Sequence, residues 1–225
     1  MEIKVTLTNN LTGFSARDIR NLIGSIADDE LKDFFMHHEK CLSPIIYSKP
    51  FRNSFDIIFT KSDNESMKAI NSIKAKLESG QVNVFGEKIK NITVDYTDYN
   101  TIPIKETAFY KLVTPLVLAV NNTEFKILYN VSKKKDKSDF IRFITRQIIS
   151  SLNYQIKEYA GQSISLANDL RIKVLSNSEL KFRNIKYKDG VIVPAINMRF
   201  ASNYRLPEFI GYKIGLGYGR LVNAF

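Results

Sequence analysis

The chain has 225 residues, 44% of them hydrophobic, and 33 Lys plus Arg against 23 Asp plus Glu leave a net charge of +10. This length fits one large domain or two small ones burying roughly 70% of the unfolded surface, and no apolar run nears the roughly 20 residues that span a bilayer. The cationic excess turns attention to polyanionic partners, namely RNA, DNA or an acidic membrane. Cys41 is the single cysteine, so an internal disulfide is excluded and no cysteine cluster marks a zinc site. MEIKVTLTNN lacks the apolar centre of a signal peptide, and the expected compartment is the cytoplasm.

EIKVTLT at residues 2–8 alternates as a strand does. Ser15 is placed to cap a helix with Ile19, Leu22, Ile23, Ile26, Leu31, Phe34 and Phe35 on one face, interrupted at Gly24 or Asp28–Asp29. SPIIYSKP and SFDIIFT read as strands. Ser62 and Glu65 form an S-x-x-E capping box before a helix carrying Met67, Ile70, Ile73 and Leu77, closed by Gly80. VNVFGEKI and NITVDYT follow as strands. This β-α-β-β-α-β order is that of a ferredoxin-like domain.

A second pass repeats the order. AFYKLVTPLVLAV and TEFKILY read as strands around Asn121–Asn122, and Lys133 to Lys137 as a solvated loop. A long helix runs from Asp139 to Ala160 with Phe140, Phe143, Ile144, Ile148, Leu152 and Ile156 inward, ended by Gly161. RIKVL, ELKFRNIKYK and VIVPAINMRF are strands, and RLPEFIGYKIGLGYGRLV closes the second set. The expected fold is α+β, two tandem ferredoxin-like (βαββαβ) domains over 1–98 and 106–225, joined near TDYNTIPIKE.

Three constellations carry potential chemistry. Of the ten glycines, Gly211, Gly215, Gly217 and Gly219 cluster beside Lys213 and Arg220. Too few residues follow them for a Rossmann helix or a P-loop. The cluster is either a strained closing hairpin or a backbone-rich loop along which a phosphate chain can lie. His37 and His38, the only histidines, sit where the first helix should end. They complement a helix C-terminus, or they serve as general acid and base, with Lys40 or Lys49 near enough in sequence to stabilise a phosphorane. In ELKFRNIKYK, Lys181 and Arg183 share a face and so do Lys186 and Lys188. The two pairs are offset by an odd spacing that a bulge near Asn184 would correct. Phe182 and Tyr187 between them read as core.

FIGYKIGLGYG, with Gly211, Lys213, Gly217 and Tyr218-Gly219 in register, resembles the C-terminal G-I-G-x-K-x-x-x-G-F-G signature of the CRISPR-associated endoribonucleases that cut precursor guide RNA. These belong to the repeat-associated mysterious protein superfamily. Phe209 replaces the first glycine. MHHEK…YSKPFRNSF is similar to that family's histidine followed by a K-P-F-like strand, and favours His38. KLVTPLVL is similar to the strand opening its second domain.

The resemblance implies metal-independent cleavage of CRISPR repeat RNA by attack of a ribose 2′-OH, leaving a 2′,3′-cyclic phosphate, with no cofactor. It implies His38, or His37 in its place, in proton transfer and Lys40 or Lys49 in charge stabilisation. Residues 16–36 contain no tyrosine, so Tyr47 is the nearest candidate for the one some members carry beside the histidine. The RNA-binding set is Arg52, Lys181, Arg183, Lys186, Lys188, Gly211, Lys213, Gly215, Gly217, Gly219 and Arg220. Expected partners are the precursor repeat transcript and other CRISPR-associated effector subunits, with no membrane, for a monomer or homodimer. A non-catalytic scaffold subunit of the same superfamily is the alternative, and it has no need of the histidine pair.

Overall fold

In the computed structural model residues 1–36, 42–133, 136–163, 166, 169–175, 180–186 and 192–224 are described. The chain divides into two units, Met1–Asn100 with Gly215–Gly217, and Thr101–Ile214 with Tyr218–Phe225.

In the first unit, alternation in β1 (Glu2–Leu7) turns Ile3, Val5 and Leu7 into the core. Helix α1 (Ala16–Ile26) starts at a capping box in which the Asp18 N–H donates to Ser15 Oγ and the Ser15 N–H to Asp18 Oδ2. It ends at Ala27, whose backbone is extended, and Gly24 is a buried position inside it. A short 3₁₀ turn leads to α2 (Lys32–Met36). Strands β2 (Ile45–Tyr47) and β3 (Ser54–Phe59), helix α3 (Asn64–Glu78) and β4 (Ile89–Asp95) complete the set. The antiparallel sheet order β2-β3-β1-β4 is the ferredoxin-like order.

Two local expectations differ. Asp63, not Ser62, caps α3, since its carboxylate accepts the Ser66 N–H at 2.8 Å. VNVFGEKI is not one strand: Phe85 and Gly86 take positive φ in a tight turn bridged by Val84 and Glu87, so pairing resumes only at Ile89.

The second unit begins with β5 (Ala108–Leu112) and β6 (Leu116–Val117). TEFKILY, expected as a strand, belongs to helix α4 (Asn122–Ser132). Asn121 and Glu124 form its capping box, so the Asn pair starts a helix where a turn was expected. Helix α5 (Ser138–Ala160) buries Phe140, Ile144, Ile148, Leu152 and Ile156. Strands β7 (Ile172–Val174), β8 (Lys181–Lys186), β9 (Ile192–Asn197), β10 (Arg199–Ser202) and β11 (Leu221–Asn223) follow.

The main sheet, β11-β5-β10-β7, repeats the ferredoxin-like order, and β6-β9-β8 forms a smaller second sheet. Where the order expects a second helix, between β10 and β11, the chain instead runs through the glycine-rich segment with one 3₁₀ turn at Ile214–Leu216.

Candidate nucleic-acid interface

The glycine-rich segment is a closed loop at its base. Phe209 bridges Arg220, the Ile210 N–H donates to the Gly219 carbonyl at 3.0 Å, and the Gly219 N–H donates to that of Pro115. A side chain on Gly219 would run into the Ile210 carbonyl, which fixes glycine there. Phe209, in place of the signature's first glycine, is fully buried.

Two buried polar side chains of α5, one turn apart, hold Gly211. Its N–H donates to Ser151 Oγ at 3.1 Å and its carbonyl accepts from Gln155 Nε2 at 3.5 Å. The sequence reading passed over both. Their signal is two polar residues, four apart, set among Ile148, Leu152 and Ile156.

Lys213 is an exposed non-glycine residue at φ 61°. Arg220 is already engaged: its Nε donates to Glu208 Oε1 at 2.7 Å and its guanidinium lies over the Phe209 ring. That commitment makes it a brace of the loop.

The loop's far turn belongs to the first unit. A Cβ on Gly217 would meet the Tyr47 carbonyl at 2.5 Å, the Lys49 backbone nitrogen at 3.0 Å and Ala16 Cβ at 3.3 Å; one on Gly215 would meet Ser43. Gly217, Lys49 and the first turn of α1 are therefore neighbours.

Tyr47 itself does not suit catalysis. It is 1% exposed, its hydroxyl donates to the Phe35 carbonyl at 3.0 Å, and burial pushes its phenol pKa far above the ordinary value. His37, His38 and Lys40 lie outside the described residues, as do Tyr187 and Lys188. In sequence His37, His38 and Lys40 follow α2, whose Phe35 is the residue Tyr47 holds.

Lys49 and Arg52 are exposed on the β2–β3 connection. Lys181, Arg183 and Lys186 are exposed on edge strand β8, but β8 pairs with β9 in unbroken register from Lys181↔Asn197 to Lys186↔Ile192. With no bulge at Asn184, Lys186 faces away from Lys181 and Arg183.

The register of the main sheet reveals what the linear sequence hides. Tyr110, Leu112, Phe200 and Leu221 face the core. On the outward face Lys111 stands opposite Arg199 and Val222, and Phe109 opposite Ala201, which is itself opposite Lys173. Lys111, Lys173, Arg199 and Phe109 are exposed. Like charges set directly opposite on a sheet repel, and an anion laid between them relieves the repulsion. The corresponding face of the first sheet carries Glu2, Asp56 and Asp95 with Lys4. Among the described residues no group of His, Cys, Asp or Glu is placed to hold a metal ion, and no helix is long and apolar enough to cross a membrane.

Two ferredoxin-like sheets in tandem, the second closed by a glycine-rich crossover, define an α+β fold class. No protein-family model matches the chain, and no curated protein matches its sequence. Solved structures do. A crystal structure of Cas6b matches over 100% of both chains at TM-score 0.67 and 19% identity. A CRISPR RNA processing endoribonuclease Cas6b matches over 100% of both at TM-score 0.56 and 20% identity. A Cas6 product complex matches over 99% of this chain and 98% of that one at TM-score 0.64 and 13% identity. At these identities the likeness is one of fold, and the fold is that of the Cas6 structures.

Proposed function

We propose that this protein is a CRISPR RNA processing endoribonuclease of the Cas6 family that binds repeat RNA and cuts the precursor transcript. The whole-chain fold match carries the reading, and the cationic outward face of β11-β5-β10-β7 supports it. In the proposed reaction the ribose 2′-oxygen attacks the adjacent phosphorus while a base takes its proton. The P–O5′ bond breaks as an acid protonates the leaving oxygen, giving a 2′,3′-cyclic phosphate and a 5′-hydroxyl with no metal required. His38, with His37 as its substitute, moves the protons, and Lys40 or Lys49 stabilises the phosphorane. The glycine-rich loop with Lys213, and the basic strand β8, contribute to RNA binding. The proposed setting is the cytoplasm, with other CRISPR-associated effector subunits as further partners.

The test is single-turnover cleavage of repeat RNA in EDTA, with a 2′-deoxy substitution at the cut site as control. The expected result is one cut for the wild type, none for the deoxy substrate, and a rate about 10²–10⁴-fold lower for His38→Ala at nearly unchanged affinity. Tight binding without any cut would favour the scaffold alternative instead.

A further inference from the structure

The β2–β3 connection, Ser48 to Asn53 (SKPFRN), holds two cations and no acid. At its tip Phe51 and Ser54 exchange backbone hydrogen bonds at 2.9 and 3.1 Å, closing a two-residue turn of Arg52 and Asn53. Only the first of the two, Arg52, has positive φ (54°). That is the position at which a type II′ hairpin favours glycine. A non-glycine residue there is strained, and such strain concentrates at functional sites.

The surroundings hold the strain in place. The Leu11 N–H donates to the Arg52 carbonyl, the Leu7 N–H to that of Asn53, and Asn53 Nδ2 back to Leu7, at 2.8, 2.8 and 2.9 Å. Pro50 narrows the backbone on the other side.

This braced turn presents Phe51, 63% exposed, as the most exposed large apolar side chain among the described residues. The Arg52 guanidinium lies 5.4 Å from its ring centroid, within cation–π range. A lone exposed apolar residue needs no explanation. An exposed ring on a strained turn, backed by an arginine where glycine would be cheaper and flanked by exposed Lys49, calls for one. A platform for single-stranded nucleic acid needs those parts: an ordered aromatic face for the base and cations for the phosphates beside it.

We propose that Phe51 is a stacking platform for an unpaired nucleobase, with Arg52 and Lys49 receiving the adjoining phosphates. The inference rests on the RNA-binding reading above and adds a positioning residue to it. It assigns Phe51 no part in bond breaking.

The chain contains no tryptophan, so Phe51→Trp installs a sole indole reporter at the tip. The probes are a short single-stranded oligoadenylate, and heparin as a polyanion without bases. Oligoadenylate is expected to quench the indole at position 51 while heparin leaves it bright. Phe51→Ala is expected to weaken oligoadenylate binding about five- to 150-fold, the span of one stacked base. Arg52→Gly, which suits the turn, should keep the melting temperature and still lose affinity.

If the wild type binds oligoadenylate, yet the indole is unquenched and Phe51→Ala binds as the wild type does, the platform is overturned and the RNA-binding reading stands. If the wild type binds neither oligoadenylate nor repeat RNA, that reading fails and the platform falls with it. Quenching by heparin as strong as by oligoadenylate overturns stacking in favour of charge alone.

Discussion

Gly217 and Tyr47, 170 positions apart in sequence, leave no room for a methyl group between them: a Cβ on Gly217 would stand 2.5 Å from the Tyr47 carbonyl. Tyr47 turns its hydroxyl the other way, to Phe35. One residue of β2 thus holds the end of α2 with its side chain and receives the glycine-rich turn at its backbone.

Gly217→Ala combines that collision with a φ of +71°, whereas at Gly13 (φ +92°) an added Cβ meets nothing within 4 Å. Gly13→Ala should cost about 1–2 kcal/mol for the left-handed backbone alone. Gly217→Ala should cost measurably more in denaturant titrations, and equal costs would show that the close approach carries no energy.

Tyr47→Phe removes the bond to Phe35. It should lower stability by about 1 kcal/mol and, on the proposed function, leave the rate of repeat-RNA cleavage by the folded protein unchanged. Because burial raises the phenol's pKa, no titration near neutrality in the pH–rate profile should disappear with it. A large loss of rate at normal stability would return Tyr47 to the reaction.

Lys111→Ala and Arg199→Ala test the outward face of the second sheet. Each should reduce RNA affinity and flatten the dependence of log K on log salt by about 0.7 for a single-stranded ligand. Neither should destabilise the fold, since each removes one of two like charges set opposite each other. Parallel loss in Lys186→Ala would bring β8 onto the same path; an unchanged slope would place it elsewhere.

Asp63 caps α3, and the Ser66 backbone N–H holds its carboxyl below the ordinary 3.8. A depressed pKa contributes stability above the unfolded value that is lost as pH falls from about 4 toward the lower folded value. Asn caps as well as Asp but does not titrate. Asp63→Asn should therefore melt close to wild type at pH 7 and fall less steeply in acid.

The elements with clean periodicity were legible in the sequence: β1 through its alternation, α1 through Ser15, and α5 through Phe140, Ile144, Ile148, Leu152 and Ile156. What escaped had a competing local signal or a non-local cause. Asn121–Asn122 looks like a turn until Glu124 is seen to close a capping box. Lys111, Lys173 and Arg199 are solitary charges in three distant strands, and only strand register makes them neighbours. Arg220 reads as a free cation beside glycines, because nothing local announces that Glu208 reaches it.

Residues 215–217, which complete the unit built by residues 1–100, are synthesised after all of 101–214. On the ribosome the Tyr47 and Lys49 backbone therefore waits for Gly217 until most of the second unit has been made, and the first unit to begin is completed only shortly before the second. Its closure is a long-range contact of the kind that folds slowly, and domains ordinarily complete themselves in order of emergence. Here the two units are completed almost together, so a nascent chain stalled before Gly215 carries a first unit without the turn that packs on Tyr47.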